Sequence, residues 1–293
     1  MNDLLQILIA GLTVGSVYAL IALAFTLIYS ATGVLNFAQG ELAMLGAMLG
    51  VTILGDLSWA YVPGLIAVVV IAALIGAAYA EVVIKPLRRR RARLDIIIVA
   101  TIAVSLLFRY GAERIWGTGE FAVPAPIKGS AVTFLGARIN PQSFLVIGVT
   151  AVALAAVWIF LQRSTTGRTF RATAYNEQAA TLLGISPARV VTLVLMLSAA
   201  LSALGGLLFT PISFASAYIG LALGFSGIVA AIVGGLGNPA GAVVAGFGVG
   251  VIEAFAAYHV TGWQGAVVFG VLLIVLFARP SGIMPGRLAL REG

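Results

Sequence analysis

RSTTGRTFRATAYNEQAATLLGISPAR, residues 163–189, is the largest polar interruption on the basic side of a chain otherwise filled by apolar segments. On either side the apolar runs approach the ~20 residues that a helix needs to cross a bilayer. Hydrophobic residues make up 61% of the chain and charged residues only 9%, with a mean hydropathy of +1.11. The segments lack the two-residue alternation of a transmembrane barrel, and backbone groups in lipid must be satisfied internally, so helices are the economical reading. The predicted fold class is therefore all-α. It is a polytopic transmembrane helical bundle of about eight to ten spans, read as one domain over residues 1–293. Glycine, at 35 of 293 residues, favours close helix packing where no hydrophobic effect drives helices together.

The formal charge of +7 does not point to nucleic acid, because 13 of the 17 basic residues fall in three short connectors. Lys85, Arg88, Arg89, Arg90, Arg91 and Arg93 form the first, Arg163, Arg168, Arg171 and Arg189 the second, and Arg279, Arg287 and Arg291 the tail. Such clusters mark the cytoplasmic side of a membrane protein and set its topology beside the lipid headgroups. The absence of cysteine removes disulfides, thiolate metal sites and cysteine nucleophiles. The opening MNDLLQILIAGL lacks a basic n-region and is read as a retained first span.

With the connectors inside, crossings are expected at residues 4–29, 34–54, 61–84, 96–116, 143–162, 190–214, 223–236, 240–258 and 263–278. That makes nine, with an external stretch at 117–142 containing Pro124, Pro126 and Pro141, and a cytoplasmic carboxyl terminus. Two crossings are irregular. Residues 34–54 begin in a polar knot of Gly33, Asn36, Gln39, Gly40 and Glu41, and residues 223–236 are short and run into Gly234, Gly235, Gly237, Asn238, Pro239 and Gly241. The two places share the pattern G-x-x-N-[FP]-A followed by glycine, a residual internal repeat in reading, and both disfavour a continuous helix. Broken or re-entrant helices line substrate paths in many transporters. Ordinary interhelical packing and turn formation explain the same residues, and both readings stand for Asn36, Gln39, Gly40, Glu41 and Asn238.

Ionisable groups inside the spans raise a different class, an ion-coupled secondary transporter, with Glu41, Glu81, Glu253 and His259 as proton carriers. Against it, Glu81 precedes Lys85 in the favourable i,i+4 order, and Arg109 and Glu113 are one turn apart near an outer end, both suited to structural pairing. Glu253 is the best remaining candidate. A passive channel through the same glycine-rich helices is a third class.

Within residues 163–189, a short helix is expected over 176–183. Gly184 ends it in the left-handed conformation, and Ser186 with Pro187 opens the next span. Such a knob, with Leu182, Leu183 and Ile185 as apolar contacts, suits the groove of another protein. Three ordered blocks then resemble one family, the permease subunits of bacterial branched-chain amino-acid ABC importers of the LivH type. They are GLTVGSVYALIALAFTLIYSATGVLNFAQGELAMLGA at 11–47, TTGRTFRATAYNEQAATLLGI at 165–185, and residues 200–254, which include GIVAAIVGGLGNPAGAVVAG. The resemblance implies a cytoplasmic coupling helix near residues 171–185 that touches an ATPase. Gly167, Arg168, Arg171, Ala172, Asn176, Ala179, Gly184 and Ile185 stand on its matching positions. It also implies the partners: a second, related permease, two ATP-binding subunits, an extracytoplasmic solute-binding protein and an amino-acid substrate, in the bacterial inner membrane. The chain itself has no G-x-x-x-x-G-K-[ST] loop, its lysines being Lys85 and Lys128, and its sole histidine and scattered acids make no zinc site or catalytic triad. No cofactor, metal or catalytic residue is expected, and charge reversal at Arg171 or Asn176→Asp is expected to weaken coupling.

Overall fold

The computed structural model describes residues 2–123, 125–127, 132–134, 137–260 and 262–286. Pro124, Lys128, Arg287 and Arg291, which carried expectations above, lie outside the described residues. The apolar runs form helices in the expected order: α1 (Asn2–Thr32), α2 (Gln39–Gly50), α3 (Tyr61–Tyr79), α4 (Lys85–Arg89), α5 (Leu94–Trp116), α6 (Pro141–Arg163), α7 (Thr165–Tyr175), α8 (Glu177–Leu182), α9 (Pro187–Phe209), α10 (Ile219–Gly234), α11 (Pro239–His259) and α12 (Gln264–Ala278). A π-helical turn at Val51–Asp56 extends α2, and another at Ala80–Ile84 joins α3 to α4. Among the described residues the stretch between α5 and α6 also carries a small antiparallel hairpin, β1 (Val132–Phe134) with β2 (Ala137–Ile139).

Six helices are long and apolar enough to span a bilayer, and α10 and α12 are shorter apolar helices. With α2 and its π extension these give the nine apolar elements expected. Their positions differ in kind. The apolar windows of α1 and α9 are each 72% buried, against 28% for α3 with α4, 22% for α5 and 17% for α6. Apolarity on all sides suits either protein core or lipid, so sequence alone does not separate the central helices from the peripheral ones. α1 packs along α11, α9 and α10, while α9 also receives α2 and α3.

Small residues permit those contacts. A Cβ on Gly206 would stand 1.8 Å from the Ala43 carbonyl oxygen, and one on Gly46 would stand 2.2 Å from that of Ala203. The α2 and α9 backbones therefore touch, and neither glycine has room for a side chain.

The first two basic connectors gather at one end, and the described part of the third, with Arg279, follows α12 there. Arg88 on α4 bonds to Glu177 on α8 and to the Ala31 carbonyl near the end of α1, and the segment after α12 packs on the α10–α11 turn. At the opposite end the loops after α5 and α9 meet in a bridge between Phe121 and Ala215. Each basic connector thus lies an even number of crossings from the next, and the start of α1 faces away from them.

Candidate functional site

At the basic end the polar interruption folds as two helices, where sequence reading expected one. Ser164 opens α7, its side chain accepting a hydrogen bond from the Gly167 amide at 2.8 Å. Arg168 and Arg171 sit within α7 instead of preceding the first helix, and both residues are exposed. A Cβ at Gly167 would lie 2.4 and 2.5 Å from the Leu161 and Phe160 carbonyl oxygens. That close return of α7 onto the end of α6 requires glycine. Arg171 reinforces the corner by donating to the Leu161 carbonyl.

Asn176 ends α7 and caps α8, its Oδ1 accepting from the Ala179 amide at 3.0 Å. Gly184 follows α8 at φ +79°, as expected of a left-handed terminator. Ser186 occupies the N-cap of α9 ahead of Pro187, but its side chain makes no capping bond. Leu182 and Leu183 are 88% and 79% exposed, while Ile185 is half-buried against the core. Ala179 faces out, whereas Ala172 is half-buried and Ala180 is buried below α8. The hairpin is therefore anchored from below by α6, α9 and α4, and it presents two adjacent leucines.

Deeper in the bundle, the chain between α1 and α2 makes a hydrogen-bonded knot. Asn36 Oδ1 accepts from the Tyr79 hydroxyl at 2.9 Å and the Ala38 amide at 3.1 Å, and its Nδ2 donates to Gln39 Oε1 at 3.2 Å. Gln39 Nε2 donates to the Ser198 carbonyl at 3.0 Å and to Ser202 Oγ at 2.5 Å. The Phe37 amide donates to Thr101 Oγ1 at 3.2 Å. The break in the helix leaves backbone and amide groups that would be costly in an apolar interior, and α3, α5 and α9 each supply partners. Asn36 and Gln39 are 3% and 0% exposed.

Glu41, one step along α2, forms an ion pair with Arg109 of α5 and accepts from Ser105 Oγ at 3.2 Å. Arg109 thus reaches across to α2, and the expected pairing with Glu113 is not made. Glu113 instead engages the hydroxyl of Tyr218, pushing that phenol above its ordinary range. The first turns of α2 and α10 abut, since a Cβ on Gly40 would stand 2.2 Å from the Gly220 carbonyl oxygen. From Gly220 to the basic end at Gly234 is ~21 Å of helix rise, which places this meeting of two helix N-termini well inside the bundle. The Glu41 carboxylate therefore sits where two positive helix ends and a guanidinium converge. The sequence had flagged Asn36, Gln39, Gly40 and Glu41. It did not reveal Tyr79, Thr101, Ser105, Ser198 and Ser202, which read as ordinary span residues.

The second break repeats the local geometry of the first. Gly33 and Gly235 both have positive φ, +71° and +102°. Asn238 Oδ1 then accepts from the Ala240 and Gly241 amides at 3.1 and 3.2 Å, as Asn36 does from Ala38. The shared G-x-x-N pattern thus supplies a positive-φ glycine and an amide-capping asparagine at both breaks, and at the second the Asn238 amide also donates to the Gly235 carbonyl. The two breaks are placed differently, however: Asn238 lies at the basic end, where its Nδ2 donates to the Met284 carbonyl at 3.1 Å. The Ile283 and Met284 amides donate to the carbonyls of Val233 and Gly234, completing the end of α10. Arg171, Ala172 and Tyr175 of α7 face Asn238 and Pro285 across a cavity of roughly 860 Å³. Glu253 is half-buried on α11 and faces the Tyr18 hydroxyl of α1. Glu81 pairs with Lys85, as the i,i+4 spacing predicted, and also accepts from Thr192 Oγ1 at 3.1 Å. Among the described residues, no cluster of three metal-ligating side chains is present.

Known proteins place this arrangement. Residues 7–276 match the family described as branched-chain amino acid transport system, permease component. The chain is 34% identical over 295 residues to the high-affinity branched-chain amino acid transport system permease protein LivH of Salmonella typhimurium, covering 96% of this chain and 95% of that one. It is 33% identical to the protein of the same description in Escherichia coli and 32% identical to BraD of Pseudomonas aeruginosa, with the same coverage. A solved chain of PsaBC from Streptococcus pneumoniae, in complex with Fab, superposes at a TM-score of 0.52 and 16% identity over 100% of this chain and 95% of that one, a likeness of fold alone. With the family model matched over residues 7–276 and relatives 32% to 34% identical over nearly the whole chain, the chain belongs to the branched-chain amino acid transport system permease family.

Proposed function

We propose that the chain is one of two permease subunits of a bacterial inner-membrane ABC importer, a single membrane domain that carries branched-chain or related amino acids inward. ATP is hydrolysed on two separate subunits, an extracytoplasmic binding protein delivers the solute, and the carboxyl terminus is cytoplasmic with the basic connectors. The observation that carries this reading is the α7–α8 hairpin. It is an exposed, capped unit on the basic end whose Leu182 and Leu183 are unburied while its base is tied to α6 and α4. Exposed leucines on a rigid knob are suited to a partner's apolar groove. Gly167, Arg168, Arg171, Ala172, Asn176, Ala179, Gly184 and Ile185 shape that knob. Its shift on ATP closure moves the permeases between outward-open and inward-open states.

The solute path borders the broken segment at Asn36, Gln39, Gly40 and Glu41, with Asn238 and Glu253 on the second broken pair. A zwitterionic amino acid requires little fixed charge there. The Glu41 carboxylate is already paired with Arg109, which suits a neutral path better than a proton relay. The test is uptake into proteoliposomes holding this chain, its neighbouring permease, the two ATPases and the binding protein, with ATP inside and no ion gradient. Leucine uptake that requires both ATP and binding protein is the expected result. Uptake by this chain alone, driven by a proton or sodium gradient and indifferent to ATP, overturns it.

A further inference from the structure

The basic connector of α4 reads from sequence as a topology anchor and nothing more, yet one of its arginines is unlike the others. Arg88 Nη2 meets both carboxylate oxygens of Glu177, at 2.7 Å each, and Nη1 reaches the Ala31 carbonyl at 3.3 Å. Arg89, Arg90, Arg91 and Arg93 make no comparable link across the fold among the described residues; Arg93 pairs with its near neighbour Asp95. One guanidinium nitrogen shared between both carboxylate oxygens makes a charge-assisted contact, and the second nitrogen's reach to Ala31 fixes how the guanidinium is turned.

The two ends of this link are informative. Glu177 is the first residue of α8, immediately after its capping Asn176, and the carboxylate there is favoured by the helix N-terminus. Arg88 also lines a small cleft together with Thr32, Asn36, Ile84, Thr101 and Leu195. The same guanidinium therefore touches the exposed hairpin, the last turn of α1 and the space leading to the Asn36 knot. Through Arg88, α8 is joined to the last turn of α1, which leads into the break between α1 and α2. The Gly167 corner ties the hairpin to α6, while α7 also packs on α1 and α9 and α8 on α9.

We propose that Arg88 and Glu177 form a strut that transmits movement of the α7–α8 hairpin to the α1–α2 break, Arg88 being a positioning residue that contacts neither solute nor nucleotide. The idea rests on the importer reading above. With side chains 23% and 47% exposed, the pair adds little to folding stability, because solvent screens such pairs. Its role is the direction of a push and not the strength of the fold.

The test uses the complete transporter in proteoliposomes, with ATP hydrolysis and solute uptake measured on the same preparation. Arg88→Ala and Glu177→Gln are expected to keep ATPase subunits bound and hydrolysing near the wild-type rate, while uptake per ATP falls at least about fivefold, the lower edge of typical coupling between sites. The exchanged pair Arg88→Glu with Glu177→Arg is expected to regain part of the lost ratio, because the lesion belongs to the pair and not to either side chain; the readout that a merely structural role would not move is uptake lost at unchanged hydrolysis. An unchanged ratio in both single variants, a parallel loss of hydrolysis and uptake, or failure of the exchanged pair to recover would each overturn the strut. Wild-type uptake that ignores ATP would sink the importer reading itself, and the strut with it.

Discussion

Replacing Arg109 with methionine removes the guanidinium from a carboxylate whose side chain is only 2% exposed. What remains to Glu41 is the Ser105 hydroxyl at 3.2 Å and the adjoining first turn of α10. One neutral donor and a partial helix charge replace a full positive charge in a poorly solvated interior. Breaking a buried pair in this way costs about 3–5 kcal/mol, whereas replacing both partners by apolar residues of similar volume is often neutral or stabilising. Arg109→Met is therefore expected to lose about 3–5 kcal/mol, and Glu41→Met a comparable amount because it strands Arg109. The double variant is expected to lie within about 1 kcal/mol of the parent, giving a coupling energy of several kcal/mol for two residues in direct contact. The assay is reversible denaturant unfolding of the purified chain in detergent, followed by tryptophan fluorescence, for the parent, both singles and the double. A loss under about 1 kcal/mol for Arg109→Met, or singles whose losses simply add in the double, would refute the assignment of this pair as a buried, mutually dependent unit.

Four further variants test the packing of α7, the cap of α8 and the Asn36 knot. Gly167→Ala places a Cβ against two α6 carbonyls, so it should open the α6–α7 corner and reduce ATPase co-purification with little change in the yield of the folded chain. Asn176→Ala removes the α8 cap and is expected to cost about 1 kcal/mol locally, visible as faster amide exchange over residues 177–182. Asn176→Asp retains a good cap, so the weakening expected of it from sequence should come only from its added charge beside Glu177. Tyr79→Phe deletes the hydroxyl that holds Asn36 at 2.9 Å, and should change solute uptake at equal expression while leaving ATPase assembly intact; equal loss of both would count against a role for the knot in transport.

Much of the architecture was legible because bilayer spans are coded by composition. Apolar runs of sufficient length, separated by basic connectors, yielded the nine elements and the end at which the connectors gather. Glycine and asparagine likewise announced both helix breaks, since the φ values at Gly33 and Gly235 and the Asn36 and Asn238 turns are local properties. Asn176 and Gly184 bracketed α8 for the same reason. The hairpin was only half legible. α7 is amphipathic, short and rich in threonine, and it is stabilised by a corner with α6 that no local pattern displays.

Which helices are central, and which polar groups meet, depended on the tertiary structure. α1 and α6 are similarly apolar, yet one is largely enclosed and the other mostly exposed, because lipid and protein interior reward the same side chains and hydropathy cannot tell them apart. Arg109 offered Glu113 one turn away, and the local spacing rule chose that partner. The fold instead brought Glu41 across from α2, where a carboxylate already faces the first turn of α10. Arg88 in turn is one of five arginines in a single run, and only the approach of α8 singles it out. The sequence by itself determined spans, breaks and turns, which depend on neighbours a few residues away. Pairings between helices required the bundle, because they join residues such as Glu41 with Ser105 and Gln39 with Ser202, 64 and 163 positions apart, through close glycine contacts that have no sequential signature.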